Sequence, residues 1–130
     1  MAAPVVDAVS GPVSALVYAL GAVVCHQLPD RSFHLAGVQL PVCARCTGLY
    51  VGAAVGLLGW ALGARTRPHP WPRGWALLAL AVASVPTATT VATAWVGLGD
   101  PANIWRATLA LPLGLVGGAM VGAMASEHLK

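Results

Sequence analysis

The sequence has 130 residues, 58% hydrophobic and 8% charged, with a mean hydropathy of +0.76. A soluble domain carries about 25% charged residues to face water, so this composition excludes a water-soluble globule and leaves lipid as the solvent for most of the surface. The net charge of +3 is scattered, which excludes the basic stripe that nucleic acid requires, makes the bilayer the expected partner, and leaves room for one domain, 1–130.

Four tracts lack Asp, Glu, Lys and Arg: residues 8–29, 46–64, 74–99 and 107–126. Each can supply the run of about 20 apolar residues that crosses a hydrocarbon core. The pattern predicts an all-α integral membrane bundle of about four transmembrane helices, near 9–26, 46–64, 74–97 and 103–125. The first is the shortest span, with Pro12 near its start; an interfacial or tilted helix is its alternative. The segment before it has no Lys or Arg, so it reads as a retained helix rather than a cleaved leader. Pro29, Asp30, Arg31 and Ser32 stop it. Residues 33–42 are too short to span and read as a loop or shallow re-entrant turn. Residues 65–73 form a basic turn broken by Pro68, Pro70 and Pro72. Residues 97–101 end helix three, and Asp100 or Asn103 is the expected cap of helix four. Trp60, Trp71, Trp75 and Trp105 fall near helix ends, in the headgroup zone that indoles prefer.

With four spans, Arg65, Arg67, Arg73 and Lys130 share one side, and Arg31, Arg45 and Arg106 the other. Arg31 and Arg45 lie in the loop between helices one and two, where a site can account for them. Setting them aside places both termini in the cytoplasm, most simply across the cell membrane, with that loop outside. Gly48, Gly52 and Gly56 recur every four residues, as do Gly114, Gly118 and Gly122. Each set is a groove on one helix face. Helix two should pack on helix four along these stripes, or the stripes should build a homo-oligomer. Thr87, Thr89, Thr90 and Thr93 of helix three are expected to bond their own backbone more than a neighbour's.

The chemistry is concentrated in Cys25-His26 and, after sixteen intervening residues, Cys43-Ala44-Arg45-Cys46. Three sulfurs and an imidazole make a tetrahedral Cys₃His set that suits structural zinc, so Cys25, His26, Cys43 and Cys46 are the candidate metal ligands. Adjacent helical residues point about 100° apart, so Cys25 and His26 converge only where the helix ends; Pro29 provides such an end, and His34 is a competing imidazole. The rival reading is a thiol–disulfide oxidoreductase: Cys46 opens helix two beside Arg45, and both stabilise thiolate. Cysteines that serve only packing are the third possibility. Arg31, Arg45, Asn103 and Arg106 fall on the same side and are candidates to support the site or hold an anion, with Asp100 an alternative partner for Arg106. His69 and His128 read as solvated. No paired carboxylates, serine triad or phosphate loop appears, which argues against an enzyme; a small transport or channel subunit is a further alternative, without an obvious coupling residue.

Cys25-His26-Gln27, Arg31-Ser32-Phe33, Gly37 and residues 41–50, from Pro41 through Cys43-Ala44-Arg45-Cys46 to Tyr50, resemble the membrane protein family catalogued as domain of unknown function 2085. Pro86 and the stretch from Asn103 to Arg106 are a looser echo. The resemblance implies the helical architecture and the Cys/His motif, and carries no established activity. Members often have an aspartate where this chain has Thr90. The combined reading is a small membrane protein with a structural or sensory zinc site.

Overall fold

Apolar tracts free of charge fold as helices because lipid offers no competing partners to the backbone. The computed structural model describes residues 11–63, 72–99 and 101–128, with side chains through 126. Its elements are α1 (Pro12–Val24), a 3-10 turn (Pro29–Arg31), β1 (Ser32–Leu35), β2 (Val38–Cys43), α2 (Ala44–Gly63), α3 (Arg73–Trp95) and α4 (Asn103–His128). Arg65, Arg67, His69 and Trp71 of the expected turn, Asp100 and Lys130 lie outside the described residues, as does the side chain of His128.

The architecture is the expected all-α membrane bundle with the cysteines between the first two helices. α2, α3 and α4 are long and apolar enough to cross a membrane. α1 has 13 residues; at 1.5 Å per residue it reaches about 20 Å, short of a hydrocarbon core roughly 30 Å thick. Large apolar side chains such as Leu58, Leu62, Leu78, Val82 and Val121 face outward. The buried positions of α2, α3 and α4 are mostly small: Ala44, Ala76, Ala83, Ala110 and Gly48, Gly52, Gly56, Gly114, Gly118 and Gly122, with Thr90 and Arg106 the larger exceptions. Trp75, Trp95 and Trp105 stand exposed at helix ends, where interfacial indoles belong.

α2 and α4 meet along the glycine stripes. A Cβ on Gly48, Gly52 or Gly56 would strike the carbonyl of Ala107, Leu111 or Leu115, and one on Gly114 or Gly118 that of Leu49 or Ala53. Gly122 lies under the Trp60 indole, where a Cβ would come 2.7 Å from the ring. Dispersion at backbone contact replaces the hydrophobic drive that lipid removes. α3 packs on α4, and the Thr87 hydroxyl crosses to the Leu109 carbonyl at 3.1 Å. Thr89, Thr90 and Thr93 bond carbonyls three residues back in their own helix.

Residues 33–42 correct the loop or re-entrant expectation: β1 and β2 form an antiparallel hairpin. Leu35 pairs with Val38 and His34 with Gln39, around Ala36 (φ 51°) and Gly37 (φ 82°). Two consecutive left-handed residues make the primed turn that matches strand twist. An irregularity between Ser32 and His34 lets Cys43 pair with Ser32 at the open end of the hairpin. Asn103 is the first residue of α4, and its amide reaches across the bundle instead of serving as the expected cap.

Candidate metal centre

Three elements deliver the three cysteines. Cys25 caps α1 in an extended conformation, Cys43 ends β2, and Cys46 lies in the first turn of α2. Their sulfurs all lie within 4.8 Å of one another. All three are free thiols, Cys25 buried and the others half-buried. The Cys43 amide donates to Cys25 Sγ at 3.2 Å, and the Thr47 hydroxyl donates to the Cys43 carbonyl at 3.1 Å. Burial pushes the Cys25 thiol up, but N–H donation from the Gln27 and Cys43 backbone favours thiolate and leaves it below the ordinary thiol value.

A polar lattice fixes these elements in register. Gln27, at φ 48°, donates from Nε2 to the carbonyls of Tyr18 (2.8 Å) and Pro41 (2.7 Å), joining α1 to β2. Gln39 Nε2 returns to the Gln27 carbonyl at 2.8 Å and to Ser32 Oγ at 3.3 Å. The Tyr18 hydroxyl donates to the Gln39 carbonyl, and buried Ser32 donates to the Leu28 carbonyl at 2.9 Å. Gly21 allows the approach, since a Cβ there would come 2.7 Å from Gln27 Nε2. Sequence reasoning assigned Tyr18, Gln27 and Gln39 no structural role, and Ser32 only that of a helix stop. Gln27 and Ser32 stood inside the motif; Gln39 left only the trace of an amide in an apolar run.

The expected four-ligand set comes together as three sulfurs. His26 is exposed and is not among the donors that meet within 4.8 Å. Successive side chains of extended backbone point to opposite sides, so turning Cys25 inward turns His26 out. His34 is also exposed, on β1.

Of the expected supporting residues, Asn103 makes the direct link. Its Nδ2 donates to the carbonyls of Asp30 and Ser32, both at 3.2 Å, tying α4 to the cysteine loop. Buried Arg106 donates from Nη1 to Asn103 Oδ1 at 3.3 Å. Arg45 directs Nη2 to Thr90 Oγ1 on α3, also 3.3 Å away. Arg31 is exposed at the end of the 3-10 turn.

Residues 25–122, from the first cysteine into the last turns of α4, match the family model of predicted membrane proteins named domain of unknown function 2085. "Uncharacterized protein MJ1492" of Methanocaldococcus jannaschii is 34% identical over 94 residues, which are 72% of this chain and 58% of that protein. The chain thus matches little more than half the length of that relative. An uncharacterized protein of Methanothermobacter thermautotrophicus is 34% identical over 106 residues, 82% of this chain and 89% of its own length. No solved structure matches the chain. The cysteine cluster, the hairpin, α2, α3 and most of α4 lie within the matched residues, and the chain belongs to the domain of unknown function 2085 family of predicted membrane proteins.

Proposed function

We propose that this membrane protein holds a zinc ion through Cys25, Cys43 and Cys46, as a structural or sensory centre that pins the end of α1 to the start of α2. The observation that carries the reading is the convergence of three sulfurs from three separate elements to within 4.8 Å. Thiolates select zinc and other borderline-to-soft ions over magnesium or calcium. Asn103, with Arg106 behind it, serves this centre by fixing the loop. The glycine faces are kept for α2 against α4, so a homo-oligomer through the same stripes competes with packing inside the chain. The basic residues of the middle turn and C-terminus favour both termini in the cytoplasm, most simply across the cell membrane.

Metal analysis of detergent-purified full-length protein tests the reading. About one zinc per chain is expected, with loss on Cys43→Ser. Metal-free protein with a reversible Cys43–Cys46 disulfide would support thiol–disulfide exchange instead, which the same closeness of sulfurs favours as the second reading.

A further inference from the structure

We infer that the proposed zinc centre has an open fourth coordination position, and that this position takes the sulfur of a small external thiol. The inference rests on the zinc reading and deepens it.

Zinc bound by protein alone takes four donors; zinc with three protein ligands keeps a position for something else. Among the described residues, three sulfurs gather, and no histidine or carboxylate joins them within 4.8 Å. His26 is the natural fourth donor by sequence, but both of its neighbours are anchored. The Cys25 amide donates to the Gly21 carbonyl at 2.9 Å. Gln27 is held through Nε2 to Tyr18 and Pro41, and through its own carbonyl by Gln39. Swinging the His26 ring inward by way of the backbone means rotating it between two fixed points, with loss of half-buried hydrogen bonds at about 1 kcal/mol each.

The exposure of the cluster is uneven in the direction this role needs. Cys25 is closed off at 8% exposure, whereas Cys43 and Cys46 are half-buried, so the approach lies on the CxxC side. Three thiolates make zinc a soft acceptor, for which a fourth thiolate is the matching donor. The reaction would be ligand exchange. The external thiol gives its proton to solvent, its sulfur forms one bond to zinc, any water there leaves, and no electron is transferred.

Cobalt(II) reports the sphere through its d–d and sulfur-to-metal charge-transfer bands. Full-length protein in detergent, wild type and His26→Ala, is loaded with cobalt and then titrated with 2-mercaptoethanol under argon. The two proteins are expected to share one spectrum and one metal affinity within about twofold, since an exposed side chain is being removed. Thiol should raise charge-transfer intensity by about a third, as three Co–S bonds become four. A tenfold or greater affinity loss in His26→Ala, or a changed starting spectrum, overturns the inference and restores the four-ligand protein site. Identical spectra that ignore added thiol overturn it too, because the position is then closed. Failure of wild type to bind cobalt or zinc at all removes the zinc reading itself, a separate result.

Discussion

Arg45 of α2 reaches Thr90 of α3, Nη2 to Oγ1 at 3.3 Å, while the adjacent Nε of Arg45 is buried with no hydrogen-bond partner among the described residues. The Thr90 hydroxyl spends its own proton on the Thr87 carbonyl. It therefore presents a lone pair to the guanidinium, which has only donors.

This contact makes Thr90 a stability position. Thr90→Val removes the acceptor and should cost about 1–3 kcal/mol, the penalty for a buried donor left unmade. Thr90→Asp supplies the carboxylate that the family resemblance leads one to expect here, and should melt above wild type through a charge-assisted pair. Thermal unfolding in detergent, followed by circular dichroism, ranks the three. Equal melting temperatures would show that Arg45 draws nothing from α3.

The glycines divide into two classes. Gly52→Val and Gly118→Val force side chains into facing carbonyls, and each should destabilise by at least about 1–3 kcal/mol through overpacking. Gly59→Ala meets open space and should gain roughly 0.5–1 kcal/mol of helix propensity. A loss at Gly59 as large as at Gly52 would contradict the intrachain pairing of α2 with α4.

Asn103→Ala cuts both bonds from α4 to the cysteine loop without touching a sulfur. Zinc should still bind at the wild-type stoichiometry, about 10- to 100-fold more weakly, as expected when support for a ligand loop is removed. Competition against a chromophoric chelator measures the change. Unaltered affinity would leave Asn103 as a packing residue only.

Zinc binding should weaken as pH falls. Each thiol must lose its proton to ligate, so once all three are protonated the affinity should fall by about three powers of ten per pH unit. Cys25, held below the ordinary thiol value, keeps its thiolate over a wider pH range than a free thiol does. Its folded-state value is depressed, so its contribution is present at higher pH and is lost as pH falls through that value. Zinc retention across buffers from alkaline to acidic reads the profile, and a flat profile would argue against thiolate ligation.

The helices and the meeting of Cys25 with the CxxC pair were legible because they follow from short-range rules: charge-free runs of membrane length, four-residue glycine spacing, and cysteines placed at the facing ends of helices one and two, although α1 stops at Val24, before the expected Pro29. The hairpin was not, because Ala36 holds the left-handed position that Asn or Asp usually signals. The side to which His26 turns was not legible for a related reason. Adjacency to Cys25 suggested shared ligation, while the side chosen by each residue depends on the backbone dihedrals of Cys25, which are set by distant partners on α1 and β2. Arg45 and Asn103 were legible as polar residues at one membrane face, but their partners Thr90 and Ser32 depend on how the helices are arranged around one another.

The glycine seam has a mechanical corollary. Backbone contact leaves few rotamers at that seam to fluctuate, so α2 and α4 behave as one stiff beam. Cys46 is mounted near one end of this beam and Asn103 at the same end of its other half. Their separation is therefore set by main-chain geometry, and any adjustment at the sulfur cluster is left to α1 and the hairpin.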